Sequence, residues 1–432
     1  MTARAPILRS PIAWALLAWA ALIVFGRLLI GHLNATGPDL LINAPPVAGR
    51  FDFVDPGIRI LLPLAVIAAV VWFGPIAARR LGWTRMLICV ALAGFAWAIS
   101  LALLDPGSNL TGPPLRDSEY LHDLPLITSP GSFLSGFLDN FSTYATHVRG
   151  HPPGFILALW AMGRIGLGGA LPAAFLMIGV GALAAPAALV GTREVVGEEK
   201  ARAAAPFLVL MPAAIWIATS ADALYAGVAA WAVALILIGT DRSRKNADAF
   251  ALAGGFLMGV ALMLSYGLLL ITTIPLAVAF HRRNARPIAL AAIAGLIPLL
   301  AFAAAGFIWT AGLLATRRTY YNGVADIRPY SAFVFTNLSA FAIVLGPAVA
   351  AGLVKLRGRL PWLLVGGGLA AMALADLSGM SKGEVERIWL PFAPWIALAT
   401  CALPSGPVRT RLWLVAPALF ALIFEVGVLT SW

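Results

Sequence analysis

Apolar runs long enough to cross a bilayer as a helix, roughly 17–25 residues each, recur from one end of this chain to the other. That recurrence constrains the fold more than any motif. With 61% of 432 residues hydrophobic and 11% charged, the chain carries more apolar surface than one water-soluble core can hide. The sequence predicts an all-α, polytopic transmembrane helical bundle. No polar stretch exceeds about fifty residues, which leaves no room for a separate soluble domain of typical size.

Thirteen spans are predicted: 11–31, 57–76, 86–104, 168–191, 203–219, 222–239, 249–265, 267–280, 288–313, 334–354, 361–377, 388–404 and 411–430. Segment 152–166 is also apolar, but it is short and carries Arg164. Charge decides its status. The groups Arg79/Arg80/Arg85, Arg242/Arg244/Lys245, Arg282/Arg283/Arg286, Lys355/Arg357/Arg359 and Arg409/Arg411 all fall in cytoplasmic loops if 152–192 crosses an odd number of times. Three crossings do not fit there, since each needs about twenty residues. So 168–191 is expected to cross, and 152–166 to lie along or dip into the outer interface. Arg4 and Arg9 precede the first apolar run without a small-residue cleavage site after it, which reads as a retained span with a cytoplasmic N-terminus.

The net charge of +11 is scattered in short basic groups between spans, so it points to membrane topology and not to nucleic acid. Cys89 and Cys401 both fall in apolar segments, where small buried hydrophobes are expected and a disulfide is not. The acids gather on the predicted outer side: Asp39, Asp52, Asp55, Asp105, Asp117, Glu119, Asp123, Asp139, Asp222, Asp326, Asp376, Glu384 and Glu386. The positive-inside rule concerns Lys and Arg and does not ask for this. A reaction site on the outer face does.

Five constellations stand out. Arg116-Asp117-Ser118-Glu119-Tyr120, in the polar loop 105–151, places two carboxylates just past a span. One can act as a general base while the other binds a hydroxyl or a metal, or both are solvated loop charges. His147-Val148-Arg149-Gly150-His151-Pro152-Pro153-Gly154 sets Arg149 and His151 ahead of a proline-started helix, an anion site or a plain helix start. Ser381-Lys382-Gly383-Glu384-Val385-Glu386-Arg387 brings four charges to a span entrance. Lys382 and Arg387 suit a lipid phosphate there, with Glu386 orienting Arg387; an interfacial anchor is the plainer reading. Asp222, in Ser220-Ala221-Asp222, sits at a helix start where an acid is stabilised by the dipole. The loop from Arg317 through Tyr320, Tyr321 and Asp326 to Arg328 suits sugar stacking or an aromatic belt equally. There is no Walker A loop, no GxGxxG and no HExxH, and the five histidines show no metal spacing. Asn-x-Ser/Thr matches at Asn109, Asn140 and Asn337 are common by chance.

With these elements in order, the chain resembles the GT-C superfamily of integral-membrane glycosyltransferases, in particular its protein-mannosyltransferase-like and aminoarabinose-transferase-like branch of actinobacterial type. Asp117-Ser118-Glu119 matches the acidic pair of the first outer loop. Ser132–Tyr144, with Phe133, Phe137 and Phe141, looks like the juxtamembrane helix, and His151-Pro152-Pro153 matches the element that opens the next helix. The resemblance covers about residues 86–404. It departs in two places: two extra spans precede the acidic loop, and the pair is Asp-x-Glu, which leaves the base open between Asp117 and Glu119.

The resemblance implies a GT-C-like core at 86–404, two helices and a linker at 1–85, and a last helix at 405–432. It implies transfer of a sugar, such as mannose or a pentose, from a polyprenyl-phosphate donor to a hydroxyl of a lipid, glycan or protein acceptor, with inversion. The site would be extracytoplasmic in a bacterial plasma membrane. Asp117 and Glu119 would be catalytic, with Asp117 the first choice of base. Arg387, Lys382, Arg149 and His151 would hold the donor phosphate, and Asp222, Glu384, Glu386, Tyr120, Tyr320 and Tyr321 would support substrate. No cofactor is certain, and a divalent cation stays an open option. The alternatives are a transporter or flippase of lipid-linked sugars, which would carry ionisable groups at midplane, and a non-catalytic relative.

Overall fold

The computed structural model describes residues 10–105, 110–218 and 220–430; Arg4, Arg9 and Asn109 lie outside them. Among the described residues nine helices are long and apolar enough to cross a membrane: Pro11–Thr36, Gly57–Arg80, Trp83–Ala102, Ala170–Val195, Ala221–Gly239, Arg286–Ala304, Tyr330–Lys355, Arg359–Leu377 and Pro407–Gly427. Each coincides with a predicted span.

The other four predicted spans are shorter or interrupted, for local reasons. In 203–219 the helix Glu198–Val209 ends before Pro212, and a 3-10 turn Pro212–Trp216 follows; proline has no N–H to continue the ladder. In 249–265 the helix Ala247–Leu262 is continuous but only 16 residues long, about 24 Å at 1.5 Å per residue. Segment 267–280 is a 3-10 stretch, Tyr266–Thr272, running into the helix Thr273–His281. Segment 388–404 is divided among Leu390–Phe392, Ala393–Ala397 and Leu398–Ala402, with Pro391 and Pro394 breaking the run. Segment 152–166 forms the helix Gly154–Arg164 of 11 residues, about 16 Å, too short for a bilayer core of about 30 Å.

Packing relies on small residues. Gly255 and Gly259 of Ala247–Leu262 press against the backbone of Ala291 and Gly295 in Arg286–Ala304, where any Cβ would collide with a carbonyl. This is the small-xxx-small contact of membrane helices. Tyr330–Lys355 is bent at Gly346 (φ 75, ψ 174), just before Pro347. Indole N–H groups bond carbonyls near such interruptions: Trp19 Nε1 to Ala342 O at 2.8 Å and Trp97 Nε1 to Met211 O at 3.3 Å. Backbone groups in an apolar medium must find such partners.

The bundle has two polar ends. At one, Arg242 reaches Arg283 O, Arg282 reaches Thr240 and Glu194 O, Arg244 pairs with Glu194, and Arg202 reaches Ala78 O and Leu81 O. These contacts join several of the predicted basic loops. At the other end lie the loop from 110 to 153, the segment 37–56, residues 220–222 and the stretch 376–388. There Gly49–Phe51 pairs antiparallel with Val428–Thr430, Gly49 opposite Thr430.

Candidate active site

Four chain segments converge at this second end. The two ends of the long loop are tied by the buried carboxylate of Asp123, which accepts from Ala145 N at 2.6 Å and pairs with His122 Nδ1 at 2.9 Å. His147 N donates to Ser118 O at 3.0 Å. These bonds bring Glu119, the N-cap of the short helix Tyr120–Asp123, beside His147 in the helix Thr146–Gly150. Behind them His151, held ahead of Pro152, is extended (φ -133, ψ 160), and Gly154 N donates to Met263 O at 2.9 Å. Only glycine fits at 154, because a Cβ would run into that carbonyl. The third segment is the start of Ala221–Gly239, capped by Ser220 Oγ, which accepts from Asp222 N. The fourth is the turn Val385–Ile388 with Glu384 at its N-cap.

The expected juxtamembrane helix is not one helix. Ser129 caps a short helix, Pro130–Ser135, turns follow, and a 3-10 turn Phe141–Thr143 ends the stretch. Phe133, Phe137, Phe141 and Tyr144 still bury together beneath the loop.

A small recess is lined by Pro113, Glu119, Tyr120, His147, His151, Ser220, Ala221, Asp222 and Arg387. Arg387 sits at its centre. Its Nη1 lies 2.7 Å from Asp222 Oδ2, and its Nη2 lies 2.9 Å from Glu384 Oε2 and 3.1 Å from His147 Nε2. His147 Nδ1 lies 2.6 Å from Glu119 Oε1. A guanidinium only donates, so His147 Nε2 must accept and the ring proton must be on Nδ1, donating to Glu119. A continuous chain Asp222–Arg387–His147–Glu119 results, with His147 neutral. Burial disfavours the Arg387 charge, but Asp222, Glu384 and Glu119 outweigh it and hold the group ionised well beyond its ordinary range. Burial also works against the Glu384 carboxylate, yet Arg387 and Arg328 bring its pKa below the usual value. Burial pushes His151 down to about 4, so it too is neutral near pH 7. The floor is aromatic: Tyr120 Oη and Tyr225 Oη share a 2.7 Å hydrogen bond, and the rings of His147 and His151 lie 6.3 Å from Tyr120. Burial raises the Tyr120 hydroxyl well above its usual pKa.

The structure divides the predicted site residues. Glu119, Tyr120, His151, Asp222 and Arg387 line the recess, and Glu384 braces it from behind. Asp117 is exposed and outside it. Glu386 does not orient Arg387, a correction to the expectation: its Oε1 accepts from Ala48 N at 2.8 Å on the opposite side of the turn, and Glu384 and Asp222 take the guanidinium instead. Asp222 is not the helix cap, since Ser220 is. Lys382 lies apart, its Nζ donating to Ala325 O at 2.8 Å and facing the Tyr321 ring. Tyr320 Oη accepts from Lys382 N, and Tyr321 Oη donates to Gly379 O. The Arg149 side chain does not line the recess.

Sequence spacing assigns no role to His147 or Tyr225 and does not show the positioning role of Arg328. Arg328 is buried, donating to Leu40 O at 2.9 Å and Lys382 O at 2.6 Å, with Glu384 Oε1 at 3.7 Å. The clue for His147 was a second histidine four residues before His151 in a loop already marked as functional. Among the described residues no group of three or more His, Cys, Asp or Glu gathers as a metal would require, and the recess acids turn to Arg387 and His147 instead.

No family model matches this sequence, and no curated protein matches it. Among solved structures, the archaeal oligosaccharyltransferase AglB from Archaeoglobus fulgidus, in complex with an inhibitory peptide and a dolichol-phosphate, is 13% identical with a TM-score of 0.45, over 80% of this chain and 56% of that one. An Archaeoglobus fulgidus oligosaccharyltransferase in complex with Zn and sulfate is 13% identical with a TM-score of 0.41, over 79% and 53%. The chain thus spans about half the length of the solved structures it matches.

Proposed function

We propose that this protein is a membrane glycosyltransferase that moves a sugar from a polyprenyl-phosphate donor to an acceptor hydroxyl at the recess, on the extracytoplasmic face. The observation that carries the reading is the convergence of Glu119, His147, Asp222 and Arg387 from four distant segments at one polar end of an apolar bundle. Keeping so many ionisable groups at the edge of a membrane protein is costly unless they are used. The sequence resemblance supports the same class of chemistry.

In this reading Glu119 is the base. Its Oε1 is held by His147, which is neutral and has its one acceptor nitrogen filled by Arg387, so the proton goes to the carboxylate. Glu119 takes the proton from the acceptor O–H. The acceptor oxygen bonds to the anomeric carbon, the bond from that carbon to the phosphate oxygen breaks, and its electron pair leaves with the lipid phosphate. The configuration at the anomeric carbon inverts. Glu119 and Asp222 line the recess against one lining guanidinium, that of Arg387, while Glu384 behind it is shared between Arg387 and Arg328. The recess is therefore negative, suited to sugar hydroxyls and to a positively charged transition state and ill suited to a phosphate. Arg387 is thereby a positioning residue that fixes Asp222 and His147.

The test is an in vitro transfer assay with a panel of polyprenyl-phosphate sugars. Wild type is expected to transfer from at least one donor. Glu119→Gln is expected to lose about 10²–10⁴-fold in rate, and Asp117→Asn to stay near wild type. A dead Asp117→Asn beside an active Glu119→Gln would exchange the two acids, and full activity in both would end the catalytic reading of this loop.

A further inference from the structure

If the recess repels phosphate, the donor's charge must rest elsewhere, and a second, more open pocket lies on the neighbouring helix Trp309–Tyr321. It is lined by Leu314, Arg317, Arg318, Tyr321 and Asn322. The spacing i, i+3, i+4, i+7, i+8 puts all five on one face. Among the described residues neither Arg317 nor Arg318 has a carboxylate partner, and both are exposed. A third cation adjoins them: Lys382 Nζ lies 5.2 Å and Arg317 Cζ 5.6 Å from the centroid of the same Tyr321 ring. Three cations, Arg317, Arg318 and Lys382, thus gather here, with exposed Asp326 the acid that follows in the chain, while Glu119, Asp222 and Glu384 gather at the recess.

The order along the helix matters. Leu314 is apolar and exposed; Arg317 and Arg318 follow about one turn on, and Tyr321 and Asn322 one turn further, each step roughly 5–6 Å. The helix begins just after the apolar span Arg286–Ala304, so its apolar turn is nearest that span. Hydrocarbon, phosphate and polar head is the order of an amphiphilic phosphate. At the polar end Tyr321 Oη donates to Gly379 O at 3.0 Å and Tyr320 Oη accepts from Lys382 N at 2.6 Å. Those contacts lead into the loop whose Glu384 braces Arg387 from behind the recess.

We propose that the face Leu314–Asn322 binds a lipid phosphate: chain along Leu314, phosphate on Arg317 and Arg318, head towards Tyr321. Its assignment to the donor rests on the glycosyl-transfer reading; the binding itself does not, and it can be measured without turnover.

The experiment uses the full chain in neutral phosphatidylcholine nanodiscs, with ligand binding followed by tryptophan fluorescence. The probes are farnesyl phosphate, farnesol, inorganic phosphate and dioctanoyl phosphatidic acid. Farnesyl phosphate is expected to bind at least about 10-fold tighter than farnesol or inorganic phosphate, since chain and charge are both read. The pair Arg317→Ala/Arg318→Ala is expected to weaken it about 10-fold or more with unchanged thermal stability. Rescue by Arg317→Lys/Arg318→Lys, even in part, supports a charge effect. Equal binding of farnesol, or wild-type binding by Arg317→Ala/Arg318→Ala, overturns the site. Loss in Arg387→Gln with no change in Arg317→Ala/Arg318→Ala also overturns it and moves the phosphate to the recess. Phosphatidic acid competing on equal terms supports a lipid-phosphate site and overturns its assignment to the donor. A chain that binds but transfers nothing refutes the enzymatic reading alone.

Discussion

Removing the Arg387 guanidinium should unlock the recess, and the expected cost follows from its partners. Arg387 and Asp222 are 8% and 4% exposed and stand 2.7 Å apart. At about 4 Å between charge centres and an effective dielectric near 20, such a pair attracts by about 4 kcal/mol before desolvation. In Arg387→Gln the carboxylates of Asp222 and Glu384 lose their common counter-ion, and His147 Nε2 loses a charged donor. Breaking a buried pair from one side costs about 3–5 kcal/mol. Asp222→Asn should cost less, about 1–3 kcal/mol, because Arg387 keeps Glu384. Arg387→Lys keeps the charge but cannot reach three partners at once, so its loss should fall between. The double variant Asp222→Asn/Arg387→Gln should be less unstable than the sum of its parts by about 1–3 kcal/mol. SDS-induced unfolding in mixed micelles, followed by tryptophan fluorescence, measures all of these. Strict additivity, or single variants within about 0.5 kcal/mol of wild type, would refute the idea that this pair organises the site.

Glu386 supplies a pH test. Burial raises its carboxyl from 4.5 to about 7, so the folded state holds a proton that the unfolded state has released. Stability should fall as pH rises from about 4.5 to about 7 and then level off. Glu386→Gln keeps an acceptor for Ala48 N, and its melting temperature should exceed that of wild type at pH 8 and match it near pH 4; a wild-type profile in the variant would refute this. Gly154→Ala should cost about 1–3 kcal/mol by overpacking against Met263, visible as a lower melting temperature; an unchanged one would mean the helix start shifts freely. Impermeant labelling of intact cells should modify a cysteine at exposed Asn322 and spare one at exposed Ser243, and the reverse pattern would invert the proposed orientation.

Much of this architecture is legible in the sequence because a span is a local property: about twenty apolar residues suffice. Continuity was harder to see. Hydropathy counts Pro212, Pro391 and Pro394 as tolerable, while the backbone ladder does not. For the site, the residue types named the neighbourhood and missed the partners. Asp117 and Glu119 are indistinguishable as spacing, and the bonds that close the long loop, His147 N to Ser118 O and Ala145 N to Asp123, turn one of them inward. The choice of Glu384 over Glu386 depends on Glu384 adopting φ 60 after Gly383, which aims neighbouring acids to opposite sides of the turn. Around them, Arg387 with Asp222 and His147, and Glu386 with Ala48, join residues 165, 240 and 338 positions apart and leave no local pattern.

The first helix ties this geometry to the lipid. Pro11–Thr36 buries only Gly26 and Ile30. It leads into the segment whose Leu40 O and Ala48 N hold Arg328 and Glu386. At 26 residues it is about 39 Å long, of which the apolar run 11–31 covers about 31 Å, close to the roughly 30 Å of hydrocarbon, so its tilt responds to bilayer thickness. Gly26 against Ser339, and Trp19 against Ala342 and Phe420, restrain that tilt. A thicker or thinner membrane is therefore expected to pull on the backing of the recess, and under the proposed function lipid chain length would enter the transfer rate.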